Sequence, residues 1–317
     1  MPQTQRPPLP FDPELKSLLP NYDDLIRQGQ IPVKVEDIIL PGVEHTEHTF
    51  PGPDGNELVL SIFRKENPSP TKHHEENRKM PTIYHIHGGG LIMGNRFCNL
   101  FGLLEFVLSY DVVVTSIEYR LAPMHRFPSA VEDCYAGLEW VHSHADELGI
   151  DREKIDVNGL SAGAGLAAAI CLLSRDRSGP SILGQSLFSP MLDDRNDSAS
   201  ANEFIGIGIW DKHANGAGWD AYLGSSRGSG NVSPYAAPSR ATDLSNLPQA
   251  SWIRDRRRRC AMRMLSLQPG FGGMGCSVSC MFGPGLTMGL MELRPRHRFR
   301  EWRGRRGWIG IRRVMGL

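Results

Sequence analysis

Two short segments carry residue types at a spacing that can do chemistry. In Gly159-Leu160-Ser161-Ala162-Gly163 a serine has glycine two positions away on each side, between a short apolar strand pattern and an Ala-rich stretch from Ala164. Glycine lets the chain turn sharply there, so the serine is thrust out in a strained conformation with its oxygen exposed. A helix that starts immediately after it offers amide donors and a positive dipole end to an anion forming beside Ser161. That is equipment for nucleophilic attack on a carbonyl. The five letters alone also describe an ordinary helix-starting turn, and the strand-turn-helix context is what gives them meaning. The second segment is His87-Gly88-Gly89-Gly90, where three glycines after a strand leave backbone N–H groups free to point at a developing negative charge. A phosphate cradle would need the Lys and Ser/Thr of a P-loop or a Gly-x-Gly-x-x-Gly pattern, and neither is present. His87, alone at a strand end, reads as a residue that holds the loop by hydrogen bonding rather than as a base.

These loops need a frame to hold them. Strand patterns at Glu57 to Phe63, Thr82 to His87, Val112 to Glu118, Lys154 to Asn158 and Ile182 to Phe188 alternate, from the second onward, with helical patterns near Phe97 to Tyr110, Ala130 to Leu148 and Ala164 to Arg175. Apolar, β-branched strands alternating with helices predict an α/β fold, a mostly parallel sheet covered on both faces. Ligands of such sheets bind where loops leave the carboxyl ends of strands. The two glycine-rich loops and Tyr119-Arg120-Leu121-Ala122-Pro123 all lie at such ends. Asp12-Pro13 before an apolar helical spacing over Leu15 to Arg27 predicts a short N-terminal helix, and residues 1–50 read as a lid segment before a core over 51–250. The pair His73-His74 falls in a charged loop and reads as solvated, not as a metal site.

Together these residues resemble the hormone-sensitive-lipase branch of the α/β-hydrolase fold, a carboxylesterase-like family. The likeness runs over about Leu9 to Pro248 and rests on several motifs. These are His85-Ile86-His87-Gly88-Gly89-Gly90, Tyr119-Arg120-Leu121-Ala122-Pro123 with Phe127-Pro128 and Glu132-Asp133, the Ser161 elbow, and Ser233-Pro234 with Leu247-Pro248. Leu160 departs from the aspartate common at that place in the family. The resemblance implies a serine ester hydrolase in which Ser161 is acylated and the N–H groups of Gly88, Gly89 and Ala162 hold the tetrahedral oxyanion. It also implies that the N-terminal helix and the Phe204 to Trp219 region shape a lid over the acyl pocket. The substrate is expected to be a small-molecule ester, with no metal and no organic cofactor.

Serine needs a histidine to take its proton and a carboxylate to orient that histidine. In the family both follow the serine. After Ala250 the chain offers only His297 with Asp255, Glu292 and Glu301, none in a family-like setting, and Asp193, Asp194 and Asp197 read as a surface loop. Composition breaks at the same place. The net charge of 0 is the sum of −12 over residues 1–250 and +12 over 251–317, and the last 67 residues hold fifteen arginines, no lysine and seven of the twelve methionines. Such a break points to a change of reading frame near Ala250. Joining the last base of each codon to the first two of the next forces Val across Met281-Phe282, Gly across Met288-Gly289 and Asp across Trp252-Ile253. The neighbouring codons then permit a catalytic-histidine-like segment over Cys280 to Met291 and an acid-like segment over Ser251 to Met262, in order and in one frame. The tail as written is expected to be irregular and the enzyme near-inactive.

Two other functions fit parts of the chain. One is nucleic-acid binding through Arg254, Arg256 to Arg259, Arg294 to Arg306 and Arg312-Arg313 with Trp252, Trp302 and Trp308; the lack of lysine favours shifted GC-rich codons over selection for phosphate contacts. The other is a non-catalytic small-ligand binder that keeps the pocket. The longest apolar runs are far below the eighteen or so residues of a membrane span. With a Pro- and Gln-rich start unlike a secretory signal and six scattered cysteines, the expected setting is cytoplasmic and reducing.

Overall fold

Apolar runs bounded by Gly, Pro and Asp become the strands of one sheet, and helices fill its two faces. The computed structural model describes residues 32–66, 79–198, 201–202, 205–206 and 210–253. Its elements are α1 (Val35–Ile38), β1 (Val43–Pro51), β2 (Glu57–Lys65), β3 (Met80–Ile86), α2 (Phe101–Ser109), β4 (Val113–Glu118) and α3 (Ser129–Ser143), then β5 (Ile150–Leu160), α4 (Ala162–Arg177), β6 (Gly184–Phe188), α5 (Lys212–Leu223) and β7 (Gln249–Ile253). The sheet order is β1-β2-β4-β3-β5-β6-β7. β1 and β2 are antiparallel, β2 meets β4 antiparallel, and β4, β3, β5, β6 and β7 run parallel.

Alternation along the strands divides the core into two clusters. Ile83 and Val114 face Leu103, Leu104 and Val107 of α2. Tyr84, Ile86, Val113, Ile117, Ile155 and Val157 face α3 and α4. Thirteen of the sixteen residues of α4 are buried, which is why that helix is Ala- and Leu-rich all round instead of amphipathic. α4 also runs directly from the carboxyl end of the central strand β5, so the residue joining them is held by the most buried part of the molecule.

The loop after β4 is pinned by charge. Arg120 donates through Nε and Nη2 to the carboxylate of Asp133 at 2.8 Å each, its backbone N–H adds a third bond at 3.0 Å, and Asp133 is fully buried on α3. Removing one partner of such a pair strands a buried charge. Arg120→Met is therefore expected to cost about 3 to 5 kcal/mol in urea-unfolding free energy, whereas Asp133→Asn costs less, because the Arg120 charge it leaves keeps its ion pair with the exposed Asp54 at 2.9 Å.

Two expectations are corrected here. Residues 43–50 are not lid: they form most of β1, a sheet-edge strand paired over its whole length with β2, with Val43 and Phe50 buried. The sheet also does not stop at residue 250, because β7 continues to Ile253 in parallel register with β6. The predicted helix over Leu15 to Arg27, the His73-His74 pair and the tail from residue 254 lie outside the described residues. Among the described residues no helix is long and apolar enough to cross a membrane, and Cys98, Cys134 and Cys171 form no disulfide.

Candidate active site

Ser161 sits between β5 and α4 with φ 56° and ψ −113°, a combination that costs an L-residue about 1 to 3 kcal/mol unless its surroundings impose it. They do. Its N–H donates to the Phe188 carbonyl of β6 at 2.8 Å, and its own carbonyl accepts from Met191 N–H at 2.9 Å and Gly165 N–H at 3.1 Å. The turn needs glycine for space as much as for flexibility. A Cβ on Gly163 would lie 2.1 Å from the Ile86 carbonyl oxygen and 2.3 Å from that of His87, while one on Gly159 would lie 2.4 Å from Gly163. The elbow is thus pressed directly against the end of β3, and that contact brings Ser161 beside the glycine loop. Ala162 opens α4, so its N–H is one of the helix's unpaired donors.

The glycine loop is fixed by side chains. His87 is fully buried, stacked on Tyr119 with centroids 4.2 Å apart, and its Nδ1 donates to the Gly88 carbonyl at 2.7 Å. Burial pushes the His87 pKa down to about 3, so the ring stays neutral over any working range and cannot serve as a base at neutral pH. Tyr119 Oη donates to the His87 carbonyl at 2.9 Å. Because C=O and N–H of one trans peptide point in opposite directions, holding the Gly88 carbonyl also aims the Gly89 N–H. Gly89 has φ 121°, and a Cβ there would strike the Met93 carbonyl at 2.0 Å. The next glycine lies under a neighbouring side chain: a Cβ on Gly90 would be 2.1 Å from the Trp210 ring, and one on Gly218 of α5 would be 2.7 Å from the Gly90 carbonyl.

One expected donor is corrected. Gly88 N–H is already spent on Asn99 Oδ1 at 3.0 Å, so Gly88 does not face an oxyanion. Among the described residues the N–H groups of Gly89 and Gly90 have no acceptor, which leaves Gly89, Gly90 and Ala162 as the available donors. Asn99 was missed by the sequence reading. Its signal was present, because asparagine is one of the few non-glycine residues that enter the left-handed region readily, and Asn99 has φ 67°.

The acids after β6 are also placed. Asp197 is exposed, Asp193 pairs with Arg195 at 2.7 Å, but Asp194 is fully buried and not part of a surface loop. Burial opposes its charge, yet bonds from Arg240 at 2.7 and 2.9 Å and from Gly228 N–H at 2.8 Å hold its pKa below the usual carboxylate range. It ties two connections together and is saturated doing so. No histidine or carboxylate among the described residues hydrogen-bonds Ser161 Oγ. His297, Asp255, Glu292 and Glu301 lie outside them.

Comparison with known proteins agrees with this geometry. The model of the alpha/beta hydrolase fold family matches residues 83–266, more than half of the chain. The chain is 32% identical over 258 residues to an arylesterase of Saccharolobus solfataricus, a match covering 76% of this chain and 79% of that one. It is 34% identical over 175 residues to esterase LipI of Mycobacterium tuberculosis, covering 55% of this chain and only 54% of LipI. Among solved structures, a bacterial heroin esterase superposes with TM-score 0.74 at 31% identity, covering 99% of this chain and 95% of that one. An esterase of the archaeon Pyrobaculum calidifontis gives 0.73 at 27% identity, covering 97% and 99%. The chain belongs to the α/β-hydrolase family, in its carboxylesterase-like branch.

Proposed function

We propose that this protein descends from a serine carboxylic-ester hydrolase and that Ser161 is its nucleophile. The observation that carries the reading is the backbone of Ser161, held at φ 56° at the strand–helix junction against a loop whose Gly89 and Gly90 N–H groups have no acceptor among the described residues. Strain of that kind persists where function needs it. In the reaction Ser161 Oγ gives up its proton and attacks the ester carbonyl, the carbonyl oxygen becomes an anion held by the Gly89, Gly90 and Ala162 N–H groups, and its collapse breaks the bond to the alkoxide, which takes up that proton and leaves as the alcohol. Water then releases the acid from the acyl-enzyme. The relatives' names, arylesterase and esterase, support a small ester as substrate.

The chain as written lacks a base and an acid beside Ser161 among its described residues. An oxyanion hole without them supplies roughly 10³ to 10⁴ over water, so turnover of p-nitrophenyl acetate is expected to stay near background and to change little in Ser161→Ala. The proposed explanation remains the reading frame after Ala250. Sequencing the messenger RNA across codons 245 to 260 tests it: a gained or lost base, or an unspliced boundary, supports the reading, and an intact frame together with brisk esterase turnover refutes it.

A further inference from the structure

We infer that Asn99 is a positioning residue for the oxyanion loop, a role that rests on the proposed nucleophile reading and adds a residue to it. The loop has three peptide groups that must not rotate if Gly89 and Gly90 are to present their N–H groups. The His87 carbonyl is held by Tyr119 and the Gly88 carbonyl by His87. Gly88 N–H belongs to the same peptide as the His87 carbonyl and donates to Asn99 Oδ1 at 3.0 Å, so Tyr119 and Asn99 grip that peptide from its two ends, while the Gly89 carbonyl accepts from the Ile92 and Met93 N–H groups at 3.1 Å each. The fit is close from both sides: a Cβ on Gly88 would be 3.3 Å from Asn99 Oδ1 and 2.9 Å from the Leu160 carbonyl, so the loop is wedged between Asn99 and the residue preceding Ser161. Asn99 reaches it from the connection before α2, eleven residues downstream, in a left-handed conformation with φ 67° that asparagine, aspartate and glycine tolerate. By taking the Gly88 N–H, Asn99 also decides which amides face the nucleophile.

Two variants separate the side chain from the backbone. Asn99→Gly keeps the left-handed backbone and deletes the acceptor. Asn99→Asp keeps the acceptor and places a negative charge one peptide away from the site of the oxyanion. The probe is phenylboronic acid on the full chain, read by boron NMR. The Ser161 hydroxyl adds to trigonal boron, the Oγ–B bond forms, the hydroxyl proton passes to buffer, and the tetrahedral anion places an oxygen in the hole. Affinity is expected to require Ser161, as judged by Ser161→Ala, and to fall on the order of tenfold or more in Asn99→Gly. Exchange of the Gly88 amide with solvent deuterium should accelerate in the same variant. Asn99→Asp should leave that exchange slow and still weaken the boronate, because charge and not packing is what changed. Wild-type boronate affinity in either variant would overturn the role of Asn99. Boronate binding that ignores Ser161→Ala would count against the nucleophile instead, and Gly88 exchange would then decide by itself whether Asn99 holds the loop.

Discussion

Gly163→Ala is expected to be among the most damaging added methyls in the described residues. Its Cβ would lie 2.1 Å from one backbone oxygen of β3's end and 2.3 Å from the next, and backbone atoms at the centre of a sheet cannot rotate aside as a side chain can. Relief requires α4 to retreat from β3, which separates Ser161 from the glycine loop and opens a void beneath a helix that is almost wholly buried. Core changes of this kind reach about 4 kcal/mol or more. The comparison is Gly230→Ala, where an added Cβ meets nothing within 4 Å and the expected change is within about 0.5 kcal/mol. Urea unfolding of both variants checks the pair, and equal midpoints would mean that the elbow is not pressed against β3 as described.

The second large effect is a pH dependence. Asp156 lies on β5 fully buried, and neither carboxyl oxygen has a hydrogen-bond partner. Burial pushes its pKa from 3.8 up to about 7, and the nearby Ser186 hydroxyl pulls the other way too weakly to offset it. The folded protein therefore keeps a proton that the unfolded chain releases. Stability from this group is full below pH 3.8 and is lost as pH rises through about 7, with the folded state binding more protons across that window. The loss is at most about 4 kcal/mol, at 1.36 kcal/mol per pH unit. Asp156→Asn should unfold at higher urea than the parent at pH 8, and the gap should shrink steadily toward pH 4. A gap that is the same at both pH values would show that Asp156 is solvated or paired.

Much of this was legible in the residues because the central strands are buried on both faces. Val112 to Ile117 and Ile83 to Ile86 are mostly apolar and β-branched, interrupted only by Thr115, Ser116 and His85, and such strands favour a covered parallel sheet. β1 was not legible for the opposite reason: in this edge strand Glu44, Thr46, Glu47 and Thr49 are exposed while His45 and His48 pack on Phe63 and Trp140, so Val-Glu-His-Thr-Glu-His-Thr-Phe lacks a clean apolar alternation. β7 was hidden because the change in composition begins inside it. At the site, Ser161 and the glycines announced themselves through spacing. Which amide points where depended on Asn99, a contact that spans eleven residues and leaves only one asparagine as its trace. Asp194 was misjudged because its partner Arg240 lies 46 positions away, and a pairing of two charged residues over that distance has no local signature.

On the reading proposed above, Ser161 is a nucleophile whose base and acid are encoded in the shifted frame beyond Ala250. The most direct test is to express the chain with that frame restored, treat it with a fluorophosphonate and locate the adduct by mass spectrometry. Rapid labelling is expected on Ser161 of the restored chain, none in Ser161→Ala, and little in the chain as written. A restored chain that does not label, or labels at another residue, would contradict that reading.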